Sequence, residues 1–367
     1  MAKAKVTKEG LSQPTDPKAV MFRLDWEPST PDSLIQGMAD YQREHGYESD
    51  LSSRGGTVGL LEQRMAEILG KEAAMFCPTG TLANHLAVRR HCGTKGRAFV
   101  QERSHMYLDE GDGIQRLSSI NLVPLATDRV YFTAEELAAA HKKYADSRVL
   151  NEVGCVVVES PVRRQGGQIV PFEEMKAITA FCRKEGIGSH LDGARLFMMS
   201  AATGIPVRKY TAMFDSVYVS LYKYFGAPFG GILAGGSAFI EGLYHDRRRF
   251  GGGIPFAYLI AGLALQGTEG FEERFAEAMD KASKLFEDLN QLESIAIHPF
   301  EHGSNIFPMR VAEGVEVERL AQRLRKKGVY IYPKEEAFEG ATLLHVNTTV
   351  LRRTNKQLVQ AFEQALT

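Results

Sequence analysis

The chain has 367 residues, 44% of them hydrophobic, enough for two or three domains with sizeable cores. Its 44 basic and 45 acidic residues leave a formal charge of −1, which excludes the broad one-signed field that recruits nucleic acid or an anionic membrane, so a small-molecule partner is expected. The strongest basic cluster, Asp246-Arg247-Arg248-Arg249, ends at once in Phe250 and a glycine run and is too short for a nucleic-acid footprint.

Residues 1–20 are polar, carry Pro14 and Pro17, and read as a loosely held, flexible arm. Charge without a following apolar stretch marks the start, and no run of eighteen apolar residues occurs, so neither a leader nor a membrane span is expected. Cys77, Cys92, Cys155 and Cys182 show no C-x-x-C spacing and sit in or beside apolar stretches, as buried reduced thiols do; no metal site and a cytoplasmic location are expected.

From Thr57 to Leu69, Val58, Leu61, Met65 and Ile68 recur at helical spacing, and Gly70 closes the helix. Ala73–Phe76 reads as a short buried strand, and Pro78-Thr79-Gly80-Thr81-Leu82-Ala83-Asn84 opens a helix running to His91. The β-branched runs Val153–Val158 and Ser216–Leu221 read as strands buried on both faces. Between them Pro171, Glu173, Glu174 and Gly186 frame a helix over Phe172–Lys184. Alternating strands and helices predict an α/β domain with a mainly parallel sheet over residues 21–253. Beyond Gly251-Gly252-Gly253, helices are predicted over Phe256–Leu265 and Phe271–Leu292. Strand-like Asn305–Val311, Val329–Tyr332 and Ala341–Val346 then alternate with helices over Val315–Lys327 and Asn355–Leu366. This is the texture of a small α+β C-terminal domain, residues 254–367, with its connecting helices.

Two charged residues stand just past apolar strands: Asp192 in Ser189-His190-Leu191-Asp192-Gly193-Ala194-Arg195, and Lys223 in Ser220-Leu221-Tyr222-Lys223-Tyr224-Phe225-Gly226-Ala227-Pro228. In a doubly wound sheet, ligands bind at the carboxyl ends of strands, so both charges face one crevice. A lysine amine that forms a Schiff base and a carboxylate that keeps a pyridine nitrogen protonated are what pyridoxal 5′-phosphate (PLP) chemistry needs. Thr79-Gly80-Thr81 at a helix start offers backbone donors and hydroxyls for the phosphate. Taken singly, each feature is more often a helix cap or a solvated charge; their order and shared strand-end context point to the cofactor.

Pro78-Thr79-Gly80-Thr81-Leu82-Ala83-Asn84, Ser104-His105, His190-Leu191-Asp192-Gly193-Ala194-Arg195-Leu196-Phe197 and Lys223 before Gly226-Ala227-Pro228 resemble the low-specificity threonine aldolases. These belong to the beta-eliminating lyase group of fold-type I PLP enzymes. The resemblance runs from about Val20 to the C-terminus. It implies a PLP-dependent transferase-like fold: a large domain with a mainly parallel, mixed seven-stranded sheet, a small C-terminal domain, and a homodimer or homotetramer with shared active sites. It implies that Lys223 holds the cofactor covalently, Asp192 meets the pyridine nitrogen, Thr79, Gly80 and Thr81 take the phosphate, and His105 stacks on the ring. Arg195 would lie near the ring hydroxyl, and Arg248 would lend charge to a neighbouring phosphate.

Several positions depart from that pattern. Where the family has Arg-Ser-Asp-Thr, with a serine for the substrate carboxylate, this chain has Arg23-Leu24-Asp25-Trp26; the family arginine ahead of a Thr-His step is Ala341, before Leu344-His345. The serine before the lysine is Tyr222, and the arginine after the glycine triplet is Pro255. Losing both carboxylate contacts should weaken α-amino acid binding by several kcal/mol unless replaced. Arg163, the family-matching Arg164 and His345 are the candidates for substrate binding. The function expected is a lyase cleaving a β-hydroxy-α-amino acid to glycine and an aldehyde, with His105 or a water it orients as the base. β-Elimination or racemisation of an atypical amino acid is the alternative, and PLP binding without efficient turnover is an alternative of another class.

Overall fold

The computed structural model describes residues 16–334 and 336–367; the expected arm up to residue 15 lies outside them. At that arm's end the chain is already packed: Ala19 and Val20 are fully buried, and Val20 and Met21 form a two-residue strand, β1.

Seven strands follow: β2 (Ala73–Cys77), β3 (Arg97–Gln101), β4 (Asn121–Leu125), β5 (Val153–Glu159), β6 (Gly188–Asp192), β7 (Ser216–Ser220) and β8 (Gly231–Gly235). They form one sheet in the order β2-β8-β7-β6-β5-β3-β4. β8 is antiparallel to both of its neighbours, and every other pairing is parallel. β5 and β7 are buried at every residue, which is why they read as unbroken apolar runs instead of alternating ones.

A four-stranded antiparallel sheet near the C-terminus contains β9 (Ile295–Ile297) and β10 (Ile306–Val311). β11 (Val329–Tyr330) runs parallel to β1, and the small sheet is completed by β12 (Ala337–Phe338) and β13 (Ala341–His345), in the order β12-β13-β10-β9. The fold is therefore the α/β class expected, with a mainly parallel seven-stranded sheet and a small C-terminal sheet.

Helices cover the large sheet. α1 (Pro31–Glu44) begins at a capping box between Thr30 and Ser33, with proline at its first position. α2 (Gly56–Leu69) ends at Gly70, whose φ of 61° is the left-handed conformation that favours glycine. α3 (Gly80–Cys92) is capped by Thr79. The helix Phe271–Leu289 buries Phe271, Phe275, Ala278, Met279, Ala282 and Phe286, a stripe at helical spacing. One hydrophobic core runs from the large sheet through this stripe to Phe307 and Leu344 of the small sheet, so the two sheets share apolar packing. No helix among the described residues is long and apolar enough to cross a membrane. All four cysteines are buried and free.

Candidate active site

β5 and β6 run parallel, with their last residues, Glu159 and Asp192, directly paired. Lys223 follows β7 in the next strand-end turn. These ends open into a cavity of about 750 Å3 between the large sheet, residues 24–26 and the small sheet. Its lining includes Lys223, Asp192, Arg195, His105, Thr79, Gly80 and Thr81, and also Arg163, Arg164 and His345. Of the residues singled out in the sequence, Arg248 alone is not in it: it sits on the helix Leu243–Arg249, with its guanidinium 3.4 Å from the Tyr244 hydroxyl. No group of three metal-ligating side chains occurs among the described residues.

Asp192 is buried, and its oxygens accept from the Asn84 amide at 2.9 Å and the Ala194 N–H at 3.2 Å. The Asn84 carbonyl lies 3.0 Å from His190 Nε2, and burial drives His190 down to about 3, so that ring is neutral. Among the described residues no cationic side chain comes within 4 Å of Asp192. A buried carboxylate held only by neutral donors calls for a cation, and a protonated pyridine nitrogen supplies one.

Lys223 is likewise without an ion-pair partner among the described residues. Burial first, then the nearby Arg195 charge, pulls its amine from 10.5 down to about 8. An unpaired, half-buried lysine amine and an unpaired buried carboxylate thus line one cavity without touching each other, an arrangement that accommodates a ligand presenting a carbonyl carbon to one and a ring nitrogen to the other. The donor set fits PLP.

Thr79 turns out to be a helix cap, its hydroxyl accepting the Leu82 N–H at 3.1 Å. Accepting that N–H leaves the Thr79 O–H free to donate, so Thr79, the first-turn N–H groups and the Thr81 hydroxyl all lie at the cavity end of α3 as candidate anion donors. Gly80 is required by close approach: a Cβ there would overlap the Tyr218 hydroxyl.

His105 starts a single helical turn capped by Ser104, and its backbone N–H donates to Glu159 Oε2 at 2.5 Å. Burial next to Asp192 pushes Glu159 up to about 7. Arg195, nine-tenths buried, donates from Nε to Asp25 Oδ2 at 2.8 Å. His345 lies between Asp25 (3.6 Å) and Glu336 (3.3 Å). Burial opposes its charged form, but the two carboxylates outweigh it and raise its pKa. Arg164 is tied to Asp109 by two contacts, whereas the mostly exposed Arg163 guanidinium approaches Asp109 only to 4.0 Å.

Asp25, Asn84, Glu159 and Glu336 were given no role from the sequence. Asp25 and Asn84 fall in the family-like runs Arg23–Trp26 and Pro78–Asn84, where they could have been read; Glu159 carries the same signal as Asp192, an acid ending an apolar run; Glu336 had no local signal. Leu24, Trp26, Tyr222 and Phe229 form an apolar part of the lining, with the Trp26 and Tyr222 rings edge to face at 5.9 Å.

Sheet order, strand-end cavity and the unpaired lysine and aspartate lining it define a class: a PLP-dependent enzyme of fold type I. Within that class, the chain belongs to the beta-eliminating lyase family, whose model matches residues 33–312. It is similar to a low-specificity L-threonine aldolase of Candida albicans, 31% identical over 272 residues covering 74% of this chain and 72% of that one. A low-specificity L-threonine aldolase of Arabidopsis thaliana is 27% identical over 318 residues, 86% of this chain and 88% of that one. Among solved structures, a candidate L-allo-threonine aldolase from Listeria monocytogenes superposes with a TM-score of 0.80 at 28% identity, over 95% of this chain and 96% of that one.

Proposed function

We propose that the protein is a PLP-dependent lyase that cleaves a β-hydroxy-α-amino acid into glycine and an aldehyde. The observation that carries this reading is the unpaired Lys223 amine and unpaired Asp192 carboxylate lining one cavity in a chain whose relatives are threonine aldolases. When bound, the cofactor supplies an electron sink for the pair left at Cα as the Cα–Cβ bond breaks.

The residues divide the remaining work. Lys223 Nζ would hold the cofactor covalently, and Asp192 would keep its ring nitrogen protonated. Thr79, Gly80 and Thr81 would hold its phosphate from the end of α3, and Arg195, oriented by Asp25, would serve its ring hydroxyl. His105 takes the β-hydroxyl proton; a histidine near neutrality suits the task. Arg163 is the mouth guanidinium with the loosest partner and takes the substrate carboxylate, with Arg164 and His345 completing that wall.

β-Elimination or racemisation is the second reading, and a specific observation favours it: Leu24 and Ala341 bring no polar side chain where threonine aldolases grip the carboxylate. That grip sets which Cα bond stands perpendicular to the ring. We further propose a homodimer or homotetramer in which Arg248, outside its own cavity, serves a neighbour's phosphate. A reducing cytoplasmic setting fits the four free thiols.

The test is direct. Purified protein should show an absorbance band at about 420 nm that borohydride removes. Lys223→Ala should abolish both band and turnover, and a band persisting in that variant sinks the lysine assignment. Threonine or phenylserine should yield glycine and an aldehyde. A keto acid or an epimer instead shifts the assignment to elimination or racemisation, and no reaction across an amino-acid panel leaves a PLP-binding protein.

A further inference from the structure

At the Nδ1 edge of His105 lies a carboxylate that the scheme above does not use. Glu110 has a side chain only 1% exposed and does not line the cavity. Neither of its oxygens has a hydrogen-bond partner at normal distance. Its nearest cationic group is His105, with Nδ1 3.4 Å from Oε1. Buried carboxylates without partners are costly, and they persist where their charge is used. We infer that Glu110 is a positioning residue for the proton transfer: it holds the Nδ1 edge of His105 so that Nε2 faces the reacting hydroxyl as an acceptor. This rests on His105 being the base of the proposed reaction.

The chemistry is that of a histidine oriented by an acid behind it. As the Cα–Cβ bond breaks, the β-hydroxyl O–H bond breaks too, its proton passes to Nε2, and the oxygen's electrons close the aldehyde carbonyl. The resulting imidazolium then has Glu110 at its Nδ1–H. A spacing of 3.4 Å is longer than a formed hydrogen bond, and acid–base pairs are commonly loose before substrate tightens them.

Other charges surround His105. Glu159 takes its backbone N–H, and Asp192 faces it from β6. Asp109, one residue before Glu110, is occupied by Arg164 and approached by Arg163. The Thr81 hydroxyl neighbours Glu110 from the start of α3. Of these acids Glu110 is the one at the imidazole edge, and contact with it acts to raise the histidine's pKa while burial pushes Glu110's own upward.

Glu110→Gln, which keeps size and burial, tests the inference in the holoenzyme. The visible cofactor band should be unchanged, KM should stay within about twofold, and kcat should fall at least tenfold. The acid limb of kcat/KM should move down by about one pH unit, because a neutral neighbour no longer favours the imidazolium. Glu110→Asp, which retracts the charge, should lie between wild type and Gln, and it serves as the test if Gln fails to fold. An unmoved acid limb and unchanged kcat in these variants, with His105→Asn abolishing that limb, overturn the inference and leave the base assignment standing. If His105→Asn itself leaves the limb and kcat in place, the base assignment fails instead.

Discussion

Lys223 illustrates how environment converts an ordinary residue into a reactive one. Its stem follows a buried strand, and burial together with Arg195 lowers its amine to about 8. Only the neutral amine attacks a carbonyl, so its reactive fraction rises as pH climbs through that value. Apoprotein mixed with excess PLP should therefore capture it at a rate that increases with a midpoint of about 8, read by stopped-flow absorbance. A midpoint near 10.5, that of an unperturbed lysine, would contradict the burial account. Asp192 and Lys223 were legible because each follows an apolar run. Asp25 was not, because its place beside Arg195 depends on an approach across 170 residues; Glu110 and Glu336 lie close in sequence to His105 and His345, but no apolar run or turn signal marks them.

The elements divide the same way. α2 and the helix Phe172–Glu185 were legible from periodicity and from Gly70 and Gly186, which both adopt left-handed φ at the C-cap. α1 escaped notice because Ile35 faces solvent and blurs its apolar stripe. β8, Gly-Ile-Leu-Ala-Gly, is short and bounded by glycines that look like breakers; Gly231 instead permits close packing under Tyr218. One tie between elements has a measurable pH signature. Glu62 of α2 accepts the Phe76 N–H of β2 at 2.8 Å, and burial lifts its pKa from 4.5 to about 7. The folded state therefore holds a proton that the unfolded chain releases, a contribution fully present below pH 4.5 and lost as pH rises through about 7. Glu62→Gln keeps an acceptor without the titration. Wild type should lose stability relative to this variant between about pH 5 and 7.5, measured by urea unfolding; a constant difference would refute the assignment.

For the whole molecule, the shared core makes small and large sheets one packed body, so the cavity between them has firm walls. Other surfaces carry large exposed apolar side chains: Ile35 on α1, Leu60 on α2, and Leu51 and Phe256 in flanking loops. If these meet a second copy, light scattering should report at least twice the 40.7 kDa chain mass. Ile35→Asp with Leu60→Asp should lower that mass and, if Arg248 serves a neighbour, the fraction of bound PLP with it; a monomeric wild type that holds PLP fully would refute shared sites. The reversed direction of β8 has a different consequence. Because β8 returns directly beside β7, the segment carrying Lys223 is the end of a hairpin, laced by the Leu221 N–H to the Gly230 carbonyl at 3.0 Å. Lys223 stands three residues past the end of β7, so its reach is set by that short stretch, and a residue inserted between Ser220 and Lys223 would displace the amine. Insertions and circular permutations of this chain thus have to open elsewhere.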